Sequence, residues 1–370
     1  MLRMDQAGFS IYHQVKLDRD YLSSRSLDLF GKKHPGIWRD SSATQKMQIS
    51  EEFRDLIESL EESLAIGNPT LLIDHTRWAM VHLTSLGFPK KHVNLMLATL
   101  GEVFEKELPS EFRKQAVVFI IESLAAVRKS SSEIPSFIVT ENPLADVATS
   151  FLSAGIAGDK ERAWIILEEV MRSGTPADEI YLNVIEPALR ETGRLWQLGK
   201  VSIAQEHFVT ALVETFMTRL HDQLLLSNER KEIRAQKTVV AACVGSELHD
   251  IGIRMTADFF EIDGWATYYF GGNTPAKSIL EAARDQNADV IALSTTMPRY
   301  LSEVQYLIRS LRADKMTAGA KIIVGGYPFR IVPDLWKQIG ADAYSGTAEN
   351  AVATANRLIR KRPEQISDKN

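Results

Sequence analysis

The spacing of apolar residues changes once along the chain, close to residue 230. From Gln48 to about Leu225, apolar positions recur at the spacing of amphipathic helices. After Thr238, short apolar runs rich in β-branched residues alternate with helical stretches, which is typical of parallel strands buried on both faces. We therefore predict a C-terminal sheet of five parallel strands with helices between them.

Breaks in this pattern predict the domain boundaries. Polar stretches at Lys129–Pro135 and Glu141–Pro143 interrupt the helical period and mark a linker. We predict a multidomain α plus α/β fold, with an N-terminal all-α domain, a four-helix bundle and a C-terminal Rossmann-like (flavodoxin-like) parallel-sheet domain. The predicted segments are an irregular N-terminal arm (1–47), the helical domain (48–128), the linker (129–143), the bundle (144–228), the parallel-sheet domain (237–361) and a polar tail (362–370).

Composition narrows the class of protein. The chain has 370 residues, a formal net charge of −5 and a single cysteine. A net negative charge gives no overall excess of basic residues for binding a phosphate backbone, so we do not expect direct nucleic-acid binding. We predict a cytoplasmic protein without a membrane partner, because the chain contains no apolar run of membrane-spanning length and its start lacks the apolar core of a signal peptide. Cys243 falls in the first predicted strand and is expected to be a buried packing residue.

The hexapeptide Glu247–Gly252 is the first candidate site. It follows the first predicted strand, so its His249 lies at the edge where open α/β sheets bind ligands. Two more signals end predicted strands in the same way. Ser294 and Thr296 follow the third strand, and a pair of glycines follows the fourth. All three signals are therefore expected at one edge of the sheet.

Together these motifs resemble the cobalamin-binding domain of methionine synthase, mutases and corrinoid carriers, with its DxHxxG, SxL or SxT, and GG motifs. The resemblance implies that His249 is the lower ligand to cobalt. Glu247 stands where the family has Asp, and an acid at this position can hold the second ring nitrogen of the histidine. The resemblance also implies that the cofactor and its nucleotide tail contact Glu247, Asp250, Gly252, Ser294, Thr296, Gly325 and Gly326.

A second motif lies in the predicted bundle. Nine residues separate Trp196 from the pair Glu206-His207. This pattern resembles the cap of light-dependent cobalamin regulators, in which adenosylcobalamin is the chromophore. The resemblance implies that Trp196 packs on the adenosyl group, that Glu206 hydrogen-bonds it, and that His207 takes the upper cobalt position after light. The alternative is a core tryptophan beside a solvated Glu-His pair.

The helical domain offers a third candidate site. His75 and His82 share a helix face, with Asp74, Arg77 and Trp78 beside them. The order of helical domain, bundle and cobalamin domain resembles photocobilins, which hold both cobalamin and biliverdin. That resemblance implies a biliverdin site. In this domain His75 could hydrogen-bond pyrrole nitrogens, Arg77 could pair with propionates and Trp78 could stack on the bilin. Because Cys243 lies in the far domain, we expect a bilin to be held noncovalently. A heme-binding globin-like domain and an amphipathic helix without cofactor remain the alternatives.

From these resemblances we predict a photoreceptor rather than an enzyme. Photolysis of the cobalt–carbon bond of adenosylcobalamin would change the packing of the domains and the state of a homo-oligomer, with an effector protein as a further partner. One alternative is a corrinoid methyl carrier of a methyltransferase system. Another is a cobalamin-binding anti-repressor that acts on a transcription factor.

Overall fold

The computed structural model describes residues 17–129, 133–228 and 237–360, with the side chains of residues 222–228 left out. Predictions for the first 16 residues, for residues 229–236 and for the tail lie outside the described residues. The chain divides into two compact units. One comprises residues 16–64 and 72–230, and the other includes residues 231–370.

Every secondary-structure element that the structure describes in the first unit is a helix. Among the described residues, no helix is long and apolar enough to cross a membrane. The helices are α1 (Arg19–Lys33), α2 (Pro35–Asp40), α3 (Ala43–Ile66), α4 (Thr70–Ser85), α5 (Lys91–Glu107), α6 (Ser110–Lys129), α7 (Ala145–Ile156), α8 (Lys160–Arg172), α9 (Ala177–Ile180), α10 (Glu186–Gln197) and α11 (Ile203–Asn228).

The predicted irregular arm is wrong for residues 19–47, which are largely helical. Asp18 caps α1, since its carboxylate accepts a hydrogen bond from the Tyr21 backbone at 3.0 Å. Phe30 is fully buried and meets the ring of Phe53 on α3 edge-on, with 5.8 Å between ring centroids. Despite its glycines and charges, this segment therefore forms a helix that packs on both α3 and α5.

One π-helical turn, Tyr181–Ile185, lies just before α10, whose second residue is Pro187. Proline has no backbone N–H, so it cannot donate to the carbonyl four residues earlier, which belongs to Asn183. The Asn142 side chain donates to that carbonyl instead, at 2.7 Å. The linker is tied to the bundle at a second point, because the Phe137 backbone donates to the Glu191 carboxylate at 2.9 Å.

The second unit confirms the predicted α/β fold. Its strands are β1 (Thr238–Val244), β2 (Ala266–Thr274), β3 (Val290–Ser294), β4 (Lys321–Gly325) and β5 (Ala343–Tyr344). They form one parallel sheet in the order β2-β1-β3-β4-β5. The helices are α12 (Ile251–Ile262), α13 (Ala276–Asp285), α14 (Leu301–Ala313), α15 (Tyr327–Ile331), α16 (Leu335–Gln338) and α17 (Ala348–Arg360).

Burial along the strands explains their sequences. The central strands β1, β3 and β4 are almost wholly buried, as their unbroken apolar runs require. The edge strand β2 instead exposes Tyr268, Tyr269 and Phe270. The helices α15 and α16 are separate, and Asp334 between them has a left-handed backbone with φ 59°.

Candidate functional site

The loop between β1 and α12 carries the predicted cobalt ligand. In the sheet order, β1 lies between β2 and β3, so the chain proceeds from β1 to β2 in one direction and from β3 to β5 in the opposite direction. Open α/β sheets bind ligands at such a switch point, beyond the carboxyl ends of the strands. The side chain of His249 is 60 % exposed there, although Glu247 two residues earlier is completely buried.

The Glu247 carboxylate joins two loops at this switch point. One oxygen, Oε1, accepts hydrogen bonds from the His249 backbone at 3.0 Å and from His249 Nδ1 at 2.5 Å. The other, Oε2, accepts hydrogen bonds from the backbone N–H groups of Thr296 and Met297, each at 2.8 Å. The hydroxyl of Thr295 also donates to Oε2, at 3.4 Å. The acid predicted to hold the histidine therefore also fixes the loop that follows β3.

These contacts set the charge of the acid and the tautomer of the histidine. Burial by itself would raise the pKa of Glu247. The hydrogen bonds from His249, Met297 and Thr296 outweigh it and lower the pKa to about 2. A carboxylate is an acceptor, so Nδ1 of His249 carries the proton and Nε2 carries the lone pair that metal coordination requires.

Asp250 anchors the same loop on its other side. Its Oδ2 accepts hydrogen bonds from the Tyr269 hydroxyl at 2.9 Å and from the Gly272 backbone at 3.2 Å. Sequence reasoning did not assign Tyr269 to the site. The signal that was present is three consecutive aromatic residues at a sheet edge, followed by two glycines. Burial, and after it the charge of Asp250, raise the pKa of Tyr269, so its hydroxyl remains a donor.

The predicted tail-channel residues meet at the same edge. Ser294 and Gly325 are paired across β3 and β4, and Thr296 is held by Glu247. Gly326 has φ 106°, and a Cβ there would overlap the Thr295 carbonyl oxygen and lie 2.7 Å from its carbon. The protein itself therefore requires glycine at this position, whether or not a cofactor is bound.

Gly252 differs from Gly326. A Cβ at Gly252 would meet nothing within 4 Å in the described part of the chain. The surrounding protein therefore gives no steric reason for glycine at this position. Close approach by a ligand, as the motif predicts, supplies one.

In the helical unit, Glu206 and His207 form a pair of the same kind as Glu247 and His249. Nδ1 of His207 lies 2.7 Å from the Glu206 carboxylate, and the imidazole is 72 % exposed. The Thr210 hydroxyl, one turn later, donates to the second Glu206 oxygen at 3.1 Å. This arrangement also leaves the Nε2 lone pair of a neutral histidine for a ligand.

Trp196 packs against two residues of α4. Its ring lies 5.1 Å from the ring of His82 and 5.8 Å from that of Trp78. The Gln197 amide donates to the Trp78 carbonyl at 3.2 Å. Burial lowers the pKa of His82, so this imidazole is neutral within the aromatic stack. The end of α10 is therefore held by α4.

The residues predicted to hold a bilin have partners within the helical unit. Nε2 of His75 lies 3.1 Å from the buried Glu52 carboxylate. Trp78 stacks on His82 at 4.8 Å and on His75 at 6.0 Å. These separations leave no room for another ring between the three. Arg77 is exposed. The structure thus brings His75 and Trp78 together on one helix face.

Comparison with known proteins matches a segment of each unit to a described family. Residues 237–356 match the family described as "B12 binding domain", and residues 147–221 match a second family with the same description. The chain contains a B12-binding module. Cobalamin or a related corrinoid is therefore its cofactor, as the resemblance of the motifs implied.

The relatives of the B12-binding module are corrinoid proteins. Dimethylamine corrinoid protein 3 of Methanosarcina acetivorans is 26 % identical over 220 residues, which cover 59 % of this chain and 98 % of the relative. Dimethylamine corrinoid protein 1 of Methanosarcina mazei is 26 % identical and covers 56 % of this chain and 94 % of itself. The structure of the Methanosarcina barkeri monomethylamine corrinoid protein has the same fold, with a TM-score of 0.50, 19 % identity and coverage of 58 % of this chain and 99 % of that one.

These relatives correct the predicted function. We expected a cobalamin photoreceptor, and that prediction is wrong, because the related proteins are corrinoid proteins named for methylamines. The motif Trp196–Glu206–His207, on which the light-sensing prediction depended, therefore does not identify a photoreceptor in this chain.

Proposed function

We propose that the protein is a corrinoid methyl carrier that serves a separate methyltransferase. The observation that carries this proposal is the similarity of the B12-binding module, over nearly the full length of the relatives, to methylamine corrinoid proteins. The bound corrinoid supplies the cobalt atom that accepts and releases the methyl group. The chain's own residues would bind the cofactor and orient it.

His249 is the proposed lower ligand. Its ring is exposed at the switch point, and Glu247 holds the opposite nitrogen. In the described residues, no group of three or more His, Cys, Asp or Glu side chains could hold a metal ion by itself. A single histidine would suffice for a corrinoid, because the corrinoid would itself supply the other nitrogen ligands of the cobalt. The donor set therefore fits this cofactor.

Ser294, Thr296, Gly325 and Gly252 are proposed contacts of the cofactor and its tail. Ser294 and Gly325 pair across neighbouring strands, and Thr296 is fixed by Glu247, so the protein orders them before any cofactor binds. A surface organised in advance loses little conformational entropy on binding.

Trp196, Glu206 and His207 are proposed to face the upper side of the corrinoid. Support comes from the second B12-binding match, which covers all three residues. Glu206 fixes the orientation of the exposed His207 imidazole, which gives a polar group that can contact an upper ligand. Trp196 has its position set by α4, so it offers a rigid apolar wall.

The proposal is tested by reconstituting full-length protein with hydroxocobalamin, reducing it and adding methyl iodide. We expect one corrinoid per chain, retained through gel filtration, with an absorption spectrum that converts to the methylated form. His249→Ala should retain less corrinoid and lose the spectrum of imidazole coordination. A wild-type protein that holds the corrinoid but cannot be methylated would rule out the carrier role.

The adenosyl form of the cofactor and biliverdin remain predictions. The adenosyl form is tested by comparing how strongly adenosylcobalamin and methylcobalamin are retained, first by wild-type protein and then by Trp196→Ala. For the second, biliverdin is added to the full-length protein, and a red-shifted band that survives desalting would reveal binding. An unchanged spectrum after desalting would contradict the biliverdin prediction.

A further inference from the structure

The end of β2 wraps around the loop that carries His249. Tyr269 and Gly272 donate to Asp250, and the Asn273 backbone donates to the Glu247 carbonyl at 2.8 Å. Three separate hydrogen bonds thus connect three residues of β2 to a loop that precedes them by about twenty positions. The loop is therefore attached to β2 as well as to the loop after β3.

The two backbones also approach each other closely. A Cβ at Gly272 would lie 2.9 Å from the Glu247 carbonyl oxygen, closer than real side chains allow, and 3.5 Å from the Leu248 Cα. Gly271 has φ 69°, and a Cβ there would lie 3.3 Å from both the Tyr269 hydroxyl and the Asp250 carboxylate. The Gly-Gly pair lets β2 pack directly on the loop.

An irregularity in β2 accompanies this contact. Tyr269 pairs with Ala241, but the next pair joins Gly271 to Ala242, so Phe270 is an extra residue in the edge strand. Such bulges break the alternation of side chains and redirect one of them, often beside a functional site. Here the strand exposes Tyr268, Tyr269 and Phe270 in succession, and the Tyr269 hydroxyl meets Asp250.

We propose that Tyr269 is a positioning residue for the cobalt ligand, holding Asp250 and through it the loop that presents His249. The proposal rests on the proposed role of His249 as lower ligand. Glu247 fixes the histidine from the β3 side, and Tyr269 fixes the neighbouring residue from the β2 side. With both anchors in place, the imidazole has one position before the corrinoid arrives.

The variant Tyr269→Phe removes the hydroxyl and retains the ring. A hydrogen bond to a carboxylate is among the stronger ones in proteins, so its loss should free the loop measurably. In apo-protein, we expect the backbone amides of residues 248–250 to exchange with solvent roughly tenfold faster, the effect of losing one such bond. In protein loaded with cobalamin and reduced by one electron, coordination by the His249 nitrogen should split the cobalt EPR signal. In Tyr269→Phe, a smaller fraction of molecules than in wild type should show this splitting.

Tyr268→Phe is the matched control. It removes the same hydroxyl from the neighbouring residue, whose side chain is equally exposed at 37 %. The control should leave both measurements at their wild-type values. Asp250→Ala should have at least the effect of Tyr269→Phe, because it also removes the acceptor of the Gly272 N–H. Adding Tyr269→Phe to Asp250→Ala should change little further, because the acceptor of the Tyr269 hydroxyl is already gone.

Three outcomes separate the two proposals. If His249→Ala retains the nitrogen splitting, the lower-ligand role fails and the positioning proposal fails with it. If His249→Ala loses the splitting while Tyr269→Phe behaves like Tyr268→Phe, the positioning proposal alone is overturned. Faster exchange and reduced splitting in Tyr269→Phe, with Tyr268→Phe unchanged, would support it.

Discussion

Replacing Glu247 by Gln tests whether one buried carboxylate holds the ligand loop together. The pKa of Glu247 is about 2, against an ordinary value of 4.5. The difference corresponds to about 3 kcal/mol in favour of the ionised form in the folded protein. A glutamine has no charge, and its NH₂ group would face either His249 or the N–H groups of Thr296 and Met297. At pH 7 we therefore expect Glu247→Gln to lose up to about 3 kcal/mol of stability.

The pH dependence follows from the sign of the shift. Because folding lowers the pKa of Glu247, its ionised carboxylate stabilises the folded state. This stabilisation is fully present above the pKa of the unfolded chain, about 4.5, and is lost as the pH falls through the folded pKa of about 2. The stability difference between wild type and Glu247→Gln should therefore be constant near neutral pH and shrink below pH 4.5. Comparing the two proteins removes the contributions of the other carboxylates, which both share.

Native-state hydrogen exchange of full-length apo-protein is the assay. Thr296 and Met297 donate their backbone N–H groups to Glu247, so their exchange should accelerate about 100-fold in Glu247→Gln, as a loss of about 3 kcal/mol requires. Glu247→Asp keeps the charge but is one methylene shorter, and an intermediate acceleration is expected. Wild-type exchange rates at Thr296 and Met297 in Glu247→Gln, or a stability difference unaffected by pH down to 2, would refute the reasoning.

Three further predictions concern other parts of the chain. In a denaturant titration of the apo-protein, Gly326→Ala should lower the stability by about 3 kcal/mol or more, because φ is 106° and the Thr295 backbone blocks a Cβ. In the same titration Gly252→Ala should leave the stability unimpaired. A double-mutant cycle of Trp78→Ala and Trp196→Ala should give a coupling of about 1 kcal/mol, and additive effects would contradict the ring contact. Burial would lower the pKa of His75, but its buried carboxylate partner Glu52 raises it. His75→Gln should therefore lower the free energy of unfolding most below pH 6.5, and progressively less as the pH rises through the folded pKa. A loss of stability that does not depend on pH would argue against the ion pair.

The sequence by itself determined the fold of the α/β part and the place of its site. Buried strands need continuous apolar runs, and loops at their carboxyl ends need glycine and polar residues, so each signal is local in sequence. His249, Ser294 and Gly325 were assigned to one edge for this reason, and Ser294 and Gly325 are paired there. The helical period likewise predicted most of the N-terminal half, although its charges and glycines hid α1 and α2.

Tertiary structure alone decided how the site is held. The Glu247 carboxylate reaches Thr296 and Met297 about fifty positions away, and Tyr269 reaches Asp250 across a strand bulge. Such contacts depend on strand order and on a one-residue shift of register, which no local period encodes. The stack of Trp196 on α4 is equally nonlocal, since it joins residues more than one hundred positions apart. Periodicity sets which elements form, whereas only their packing brings distant side chains within hydrogen-bonding distance.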